Sequence, residues 1–597
     1  MTSMQASSKY SDQFMSWLSE EGYTHCFFVG GGNVMHLLES ASKNFVCIPV
    51  VHEVAAGIAA EYFNELSDEG LRAFALVTAG PGLTNIVTAI AGAYLESREL
   101  LVVGGQAKVS DLSRGLVPQI GHQEIDGTNI VKPITKYSIL ADRRLSKSEV
   151  TKITQISRNG RKGPVFIEMC LDISAMPSLD EIDKKNITRI NPPSPNINDM
   201  KLVKQLLENS SRPLILIGGG VPRSYAKSIL PKLLDLGIPI ATTWNGFDRI
   251  PYSYELYAGR PNTYGMRWAN IINQSADLVI AVGTRLGIQQ TGFAWDEYVP
   301  KGKIVQIDID PLELSKGFPK IELGICCDST MFLDQLISSD LRSNSTLDWI
   351  NFVREIRAEL DKSDDANVAK EDFVELHKFV RELSHNLKVD DVIVPCSSGG
   401  SFNAVMQIFQ QKANQKVLTN KSLASMGYGL SGAIGASFAN PNKRVILIEG
   451  DGGFAQNLQE LGTVSVNKLN LKMFLTSNKG YASIRTTQKS YFGGNYIGCD
   501  ESTGLGLPDW EYVFKAFDIP VQIITQSNLW SSEMLENMEQ DGPIAFIVKL
   551  DPEQLFYPKV TSRVDPDGSM KTNPIHLMAP DLVGSQKQRF FKYLDVN

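Results

Sequence analysis

The sequence lacks the features that mark several classes of protein. Its seven cysteines include no CxxC pair, so nothing indicates a disulfide framework or a zinc site. No run reaches the roughly 18 apolar residues that a membrane span needs. The net charge of −8 gives no indication of a nucleic-acid partner. The polar start, MTSMQASSKYSDQF, has no apolar signal core, and we therefore expect a cytoplasmic protein that binds neither membranes nor nucleic acid.

What the sequence does contain is the composition of a globular protein with several domains. Hydrophobic residues make up 43% of the chain and charged residues 21%, and 597 residues are too many for one core. Short β-branched runs such as FALVT, DLVIAVG and RVILIEG alternate with amphipathic helices, which predicts α/β domains with parallel sheets. Polar stretches at 177–200 and 338–371 divide the chain. We predict three doubly wound domains and a C-terminal tail, at residues 1–180, 195–340, 370–560 and 561–597.

The segment from 444 to 481 predicts a magnesium site. Asp451 follows one β-branched strand, and Asn478 ends the next apolar strand. Consecutive parallel strands deliver their loops to the same edge of a sheet. Asp451, the side-chain oxygen of Asn478 and the backbone carbonyl of Gly480 are the oxygen ligands that Mg²⁺ prefers, and they would leave room for a diphosphate. Gly452 and Gly453 let the backbone approach that diphosphate at a helix start.

The first part of the chain carries a second group of signals. An apolar strand is followed directly by His52 and Glu53 and then by an Ala-rich helix. A carboxylate in this position is poorly solvated and suits a proton shuttle; the alternative is a glutamate favoured by the dipole at a helix start. Further on, the loop TAGPGLTN contains Gly80 and Asn85, and GHQE follows on another loop. Each of these loops alone indicates only a break between elements.

Taken together and in this order, the motifs resemble those of thiamine diphosphate-dependent enzymes of the acetolactate synthase and pyruvate oxidase type. They are HE before a small-residue helix, TxGPGxTN, QE, a central GGG and DIDP, MGYGL, and GDG with SNxGY. The resemblance extends over roughly residues 10–560. It implies a pyrimidine-binding, a central and a diphosphate-binding domain, with thiamine diphosphate and magnesium as cofactors.

The resemblance implies a role for individual residues. Glu53 matches the glutamate that hydrogen-bonds the aminopyrimidine ring, and Met426 matches the apolar residue that holds the cofactor bent, although a core methionine is the simpler interpretation of Met426 alone. Ser477 stands where the family has the first Asn of a pair, while the metal ligand is the second. The candidate catalytic residues are Glu53, His122 and Gln123. The candidate residues for thiamine diphosphate are Gly80, Asn85, Ser398, Gly399, Gly400, Met426, Gly452, Gly453 and Tyr481.

The central domain resembles the FAD-binding domain of the acetolactate synthase branch. Its glycine-rich strand ends suit a dinucleotide, and Asp308 could meet a ribose or adenine group. Relatives with this domain bind FAD, a plain nucleotide or nothing, so the cofactor stays open at this point. The candidate FAD residues are Gly218, Gly219, Gly220, Gly283, Arg285, Asp308 and Asp328.

The sequence departs from that of acetolactate synthases at positions that the resemblance assigns to the pocket for the second substrate, the acceptor. Those enzymes carry a Phe-Asp-Asp-Arg run where this chain has Ile288 and Gln289, so this chain lacks the acidic and basic side chains of that run. A tryptophan after the metal loop matches Arg485, which would suit a larger polar or anionic acceptor or else lie on the surface as a solvated charge. The phenylalanine before QE matches His122. The candidate substrate residues are Gly31, Gly32, Gln289 and Arg485.

The stretches of sequence around His122, Gln289 and Arg485 look like those of a flavin-type carboligase branch that resembles the yersiniose-forming enzyme. The resemblance implies a 2-keto acid donor, pyruvate, whose two-carbon unit is added to a carbonyl acceptor such as the keto group of a nucleotide-linked sugar. Authentic acetolactate synthase is the first alternative, and a pyruvate oxidase or decarboxylase is the second. A catalytically silent homologue is disfavoured by the intact Glu53, Asp451 and Asn478.

The resemblance also implies a homo-oligomer. In this family the glutamate and the metal site come from different subunits, so we expect a dimer at least and a tetramer as a common form. The tail after residue 560 is Pro-rich and irregular in sequence. It is either a lid over the site or a segment strapped across the dimer surface.

Overall fold

Three parallel β-sheets with flanking helices form the protein. The computed structural model describes residues 8–67, 70–180, 192–338, 345–564 and 567–594. The predicted α/β class with three parallel-sheet domains is confirmed. Among the described residues, every helix is too short or too polar to cross a bilayer.

The first sheet has six parallel strands in the order β2-β1-β3-β4-β6-β5. All side chains of its long β4 and β6 strands are buried, as expected for β-branched runs covered on both faces. The strands are β1 (Tyr23–Phe28), β2 (Val46–Pro49), β3 (Arg72–Val77), β4 (Leu100–Gln106), β5 (Tyr137–Ala141) and β6 (Pro164–Cys170). The helices are α1 (Tyr10–Glu20), α2 (Met35–Ala41), α3 (Glu53–Leu66), α4 (Pro81–Glu96), α5 (Gly127–Val131), α6 (Lys147–Arg158) and α7 (Leu171–Ala175).

The central sheet has five parallel strands in the order β11-β10-β9-β7-β8. They are β7 (Pro213–Ile217), β8 (Ile240–Thr242), β9 (Leu278–Val282), β10 (Lys303–Asp308) and β11 (Leu323–Cys326). The helices are α8 (Ile197–Glu208), α9 (Arg223–Asp235), α10 (Arg267–Ser275), α11 (Ile288–Thr291), α12 (Pro311–Leu314), α13 (Ser329–Ser338) and α14 (Leu347–Leu360).

The third sheet repeats the strand order of the first, as β13-β12-β14-β15-β17-β16. Its strands are β12 (Val392–Pro395), β13 (Lys416–Val417), β14 (Val445–Gly450), β15 (Leu471–Ser477), β16 (Val521–Ile524) and β17 (Ile544–Lys549). The helices are α15 (Leu376–Asn386), α16 (Gly399–Ile408), α17 (Tyr428–Ala439), α18 (Asp451–Phe454), α19 (Leu461–Val466), α20 (Ala482–Tyr491), α21 (Trp510–Ala516) and α22 (Ser532–Glu539).

The C-terminal tail folds into two short antiparallel strand pairs and a helix. Its elements are β18 (Lys559–Val560), β19 (Ser562–Val564), β20 (Met570–Thr572), β21 (Met578–Ala579) and α23 (Gly584–Phe590). Ile575 and Phe590 are buried in the hydrophobic core of the central sheet. The Asn270 side chain on α10 donates to the Ile575 carbonyl over 2.8 Å. The tail therefore belongs structurally with the central sheet.

The chain divides into two compact units. The first comprises residues 1–190, 392–399 and 418–549, and the second comprises 191–391, 400–417 and 550–597. In each of the three sheets the strand order reverses beside the first strand, between β1 and β3, between β7 and β9, and between β12 and β14. Such reversals open a crevice beyond the carboxyl ends of the strands, where ligands of α/β proteins bind.

Candidate active site

The Asp451 carboxylate joins the ends of β14 and β15. It lies at the start of α18 and is buried. Its Oδ1 accepts from the Gly452 N–H over 2.8 Å. Its Oδ2 accepts from the N–H groups of Asn478 and Lys479, both over 3.0 Å, and from the Ser477 hydroxyl over 3.3 Å. The structure thus brings the GDG and SNKG motifs together, as their places after neighbouring strands predict.

The charge of Asp451 is not fully compensated by these bonds. Burial raises its pKa to about 6, although the surrounding N–H groups act in the opposite direction. A cation beside the carboxylate would favour its charged form. No group of three or more His, Cys, Asp or Glu side chains suited to a metal occurs among the described residues. A cation here would therefore be held by Asp451 with amide and carbonyl oxygens, and such an all-oxygen set suits Mg²⁺.

Glycines allow the loops around Asp451 to approach one another closely. Gly480 has φ 132°, and a Cβ on it would lie 2.3 Å from the Cys499 carbonyl oxygen. A Cβ on Gly452 would lie 2.5 Å from the ring of Tyr481. Close packing within the protein thus explains why positions 452 and 480 are occupied by glycine. Gly453 lies beside the buried Glu449.

Arg485 is anchored on the loop that carries the predicted metal ligands. It lies on α20, and its Nη2 donates to the Asn478 carbonyl over 3.0 Å. Its Nη1 lies 3.5 Å from the Asp500 carboxylate, and only 11% of its side chain is exposed. The interpretation of Arg485 as a solvated surface charge does not fit this position. Whether it also meets a substrate stays a prediction.

Glu53 and Asn85 form a buried pair in the first sheet's layer of helices. Glu53 is the first residue of α3 and is 8% exposed. The Asn85 amide on α4 donates to Glu53 Oε2 over 2.9 Å. His52 caps the helix, since its ring nitrogen accepts from the Val54 N–H over 3.3 Å. The structure therefore joins the HE motif to the TAGPGLTN motif.

Three further loops meet where the order of the first sheet reverses. A Cβ on Gly31, after β1, would lie 2.4 Å from Thr78, after β3. A Cβ on Gly80, whose φ is 63°, would lie 2.7 Å from the Gln123 carbonyl oxygen. The Asn33 amide donates to the His122 carbonyl over 3.3 Å. The candidates Gly31, Gly80, His122 and Gln123 thus cluster at this edge, and Gly32 lies beside them and is exposed.

This edge contains a polar atom that a ligand could satisfy. The Thr78 hydroxyl is buried and has no hydrogen-bond partner among the described residues. Buried polar groups are nearly always paired in folded proteins. The residues present therefore fit a bound polar group such as the pyrimidine ring of thiamine diphosphate.

The second candidate diphosphate loop follows β12. Gly399 starts α16 with φ 85°, and a Cβ on it would meet open space, whereas a Cβ on Gly400 would lie 2.7 Å from the Phe556 ring. The Cys396 thiol donates to the Ser398 carbonyl over 3.1 Å. Met426 is 37% exposed, so it is not a core methionine. An exposed apolar side chain at this point suits contact with a bound group.

The central glycines pack against each other at the reversal between β7 and β9. A Cβ on Gly218 would lie 2.2 Å from the Gly283 carbonyl oxygen, and the Gly220 N–H donates to that same oxygen over 2.9 Å. Gly219 faces Asn245. Close approach of these loops is thus one reason for the glycines, and it leaves their binding of FAD a prediction.

The other central candidates lie at or after the carboxyl ends of β9, β10 and β11, with Gln289 on α11. Asp308 Oδ1 accepts from the Asp310 N–H and Asp328 Oδ1 from the Thr330 N–H, each over 2.9 Å. Arg285 is half-buried. Gln289 is exposed, and its carbonyl accepts from the Thr263 N–H over 3.0 Å. The two carboxylates therefore have local structural roles, and their binding of FAD stays a prediction.

Three family models match the chain. Residues 8–130 match "Thiamine pyrophosphate enzyme, N-terminal TPP binding domain", residues 200–336 match the central domain, and residues 398–548 match the C-terminal TPP binding domain. The chain belongs to the thiamine pyrophosphate enzymes. The three matches fall on the three sheets in order, and the predicted family is confirmed at this level.

The curated proteins similar to this chain include acetolactate synthase large subunits. The one from Cyanidium caldarium is 29% identical over 528 residues, covering 86% of this chain and 87% of that protein. The one from Porphyra purpurea is 27% identical, with 90% and 91% covered. Acetolactate synthase isozyme 2 large subunit from Escherichia coli is 27% identical, with 91% and 96% covered. The prediction of a thiamine diphosphate-dependent enzyme of the carboligase kind is confirmed.

The structure of this thiamine pyrophosphate enzyme adds a buried acid that sequence patterns did not single out. Glu449, which lies two residues before Asp451, accepts from the Leu430 N–H near the start of α17 over 3.2 Å. Burial raises its pKa to about 8. Glu449 thus links the end of β14 to the helix that follows Met426. An acidic residue inside the apolar run RVILIEG was the available signal.

Proposed function

We propose that the enzyme decarboxylates pyruvate and transfers the resulting two-carbon unit to a carbonyl acceptor, using thiamine diphosphate and Mg²⁺. The buried Asp451 carboxylate, which joins the ends of β14 and β15 and has a raised pKa, carries this proposal. The Glu53–Asn85 pair at a second sheet edge supports it.

Different residues of the chain would bind the metal and move the proton. Asp451, Asn478 and the Gly480 carbonyl would hold Mg²⁺ and so the diphosphate. Glu53, oriented by Asn85, would hold and move a proton at the aminopyrimidine ring. When bound, thiamine diphosphate supplies an electron sink for the decarboxylated carbon.

We further propose an acceptor that is a ketone larger than a second pyruvate, such as a keto-sugar nucleotide. Arg485 supports this choice because it is held on the Asn478 loop with only 11% of its side chain exposed. Gln289 supports it because it stands where acetolactate synthases carry a charged run. Authentic acetolactate synthase is the second candidate, and the similarity to acetolactate synthases favours it.

FAD in the central domain and a homo-oligomer complete the proposal. The crevice between β7 and β9, lined by Gly218 and Gly283, is where a dinucleotide would bind. Val46 in the first sheet's edge strand β2 and Val51 just after that strand are more than half exposed, and they support association between chains. Absorbance of the purified protein in the flavin band tests the first point, and a colourless, fully active preparation would exclude FAD.

Incubation with pyruvate alone, and with pyruvate plus a ketone or keto-sugar nucleotide, tests the reaction. We expect carbon dioxide release and a ligation product that depend on the added acceptor. Abundant acetolactate from pyruvate alone would favour the second candidate, whereas oxygen uptake or free acetaldehyde would indicate an oxidase or a decarboxylase. A Glu53→Gln variant should lose the reaction, and unchanged turnover would contradict the assigned site.

A further inference from the structure

Glu460 is a buried acidic residue to which neither the sequence motifs nor the proposed function assigns a role. It ends the 3₁₀ helix that follows α18, on the segment that begins with Asp451, and it is fully buried. Its Oε1 accepts from the Val51 N–H over 3.1 Å and from the His52 N–H over 2.9 Å. Its Oε2 accepts from the Thr463 hydroxyl over 2.9 Å. One carboxylate therefore holds two consecutive backbone N–H groups.

These two N–H groups lie directly before Glu53. Strand β2 ends at Pro49, and the last N–H bonded to the sheet is that of Val50, which donates to the Phe28 carbonyl over 3.0 Å. Residues 51 and 52 then turn the chain into α3. Backbone N–H groups that leave a sheet need a new acceptor. Among the described residues, Glu460 is the acceptor that both groups share.

The Glu460 bonds fix the backbone from which the Glu53 side chain projects. Hydrogen bonds to a charged acceptor are shorter and stronger than neutral ones. The Asn85 amide orients the far end of Glu53, while Glu460 holds the near end through its two preceding residues. A carboxylate displaced by about 1 Å from its productive position loses much of its effect in proton transfer.

We propose that Glu460 is a positioning residue for Glu53, which it holds through the backbone of Val51 and His52. This inference rests on the proposed role of Glu53 in proton transfer at the cofactor. The same segment that carries the predicted metal ligand Asp451 thereby fixes the entry to α3. Glu460 itself touches neither substrate nor cofactor in this scheme.

The first test measures backbone amide exchange in the protein without cofactor. Glu460→Gln keeps the side-chain shape but replaces one acceptor oxygen with an amide donor and removes the charge. We expect exchange at Val51 and His52 to become at least about tenfold faster, because a charge-assisted bond is lost. Thr463→Val, which leaves both backbone bonds intact, is the matched control and should exchange at the wild-type rate. Unchanged exchange in Glu460→Gln would overturn the proposal.

The second test measures proton transfer without any substrate. The rate at which bound thiamine diphosphate exchanges its thiazolium C2 proton with solvent deuterium can be followed by NMR after acid quenching. We expect Glu460→Gln to slow this exchange about tenfold or more while the cofactor dissociation constant changes less than about threefold. Faster amide exchange with an unchanged C2 rate would reduce Glu460 to a structural residue and overturn the proposal.

Two comparisons separate the possible failures. Asp277→Asn removes another carboxylate that accepts two consecutive backbone N–H groups, those of Ser211 and Arg212, beside the central sheet. It should lower stability but leave the C2 rate unchanged, which distinguishes positioning from general loosening. Because the C2 rate needs no donor or acceptor, an error in the proposed substrates leaves this test intact. A Glu53→Gln variant with a normal C2 rate would refute both the role of Glu53 and the positioning role.

Discussion

At Asp451, burial and hydrogen bonding act in opposite directions on one carboxylate. Burial prevails and raises its pKa to about 6, so a cation gains more from binding here than at an exposed aspartate. Asp451→Asn should therefore abolish the thermal stabilisation that Mg²⁺ and thiamine diphosphate give together. In the wild type we expect about 2.7 kcal/mol at a cofactor concentration about 100 times the dissociation constant.

Differential scanning fluorimetry with and without the cofactor pair measures this effect. Ser477→Ala is the control, since it removes one hydroxyl bond and keeps the carboxylate. Full stabilisation of the Asp451→Asn variant would place the metal elsewhere.

A second buried acid predicts how stability depends on pH. Glu168 on β6 accepts from the Gln106 amide over 3.0 Å, and burial, followed by the charge of Asp126, raises its pKa to about 8. Between about pH 4.5 and 8 the unfolded chain loses this proton while the folded chain keeps it, so stability falls as pH rises. The slope from this one group is about 1.4 kcal/mol per pH unit.

Glu168→Gln should reduce that slope in urea unfolding between about pH 5 and 8, because the neutral amide resembles the protonated acid. The same change at the exposed Glu533 on α22 should leave the slope unaltered. Parallel slopes for Glu168→Gln and the wild type would show that Glu168 is ionised in the folded protein.

At the scale of elements, buried charges join α3, α4 and α17. The Arg98 guanidinium after α4 bonds to Glu61 on α3 over 2.7 Å, and the Tyr428 hydroxyl on α17 bonds to the same carboxylate over 2.9 Å. Removing one partner of a buried ion pair leaves the other charge uncompensated. Arg98→Met should therefore cost about 3–5 kcal/mol of stability, and Tyr428→Phe only about 1 kcal/mol.

Denaturant unfolding of these variants and of Arg98→Met/Glu61→Gln measures the coupling. The double variant should recover part of the loss, because the Glu61 charge is no longer left buried without Arg98. A double variant whose loss equals the sum of the single losses would show that the two groups act independently.

Sequence patterns predicted the elements that depend on local chemistry. The β-branched runs became the parallel strands, and Asp451 met the Asn478 loop, because strand ends of one sheet share an edge. The contacts of Glu460 with residues 51 and 52 could not be predicted, since they join distant parts of the chain. The same holds for the burial of Ile575 in the central core. Both depend on how layers pack rather than on periodicity.

At the scale of the whole molecule, the proposed shared site can be tested by mixing. If Glu53 of one chain works with Asp451 of another, Glu53→Gln and Asp451→Asn variants are each inactive alone, but mixed dimers contain one intact site. Refolding an equal mixture should then restore about a quarter of wild-type activity, since half the dimers are mixed and each has one good site. Persistent inactivity of the mixture would show that each chain builds its site alone.

The first and third sheets have the same strand order, although one contributes Glu53 and the other Asp451. This repetition means that the same arrangement of strand ends and crevice occurs twice in the chain. In the proposed site, the crevice of the first sheet would present an acid to the cofactor ring, and that of the third sheet would present oxygens to a cation. The two sheets have the same strand order, and the proposed chemistry lies in their loops. Exchanging loops between the two sheets is therefore a route by which such a scaffold could bind new acceptor substrates without a change in its core.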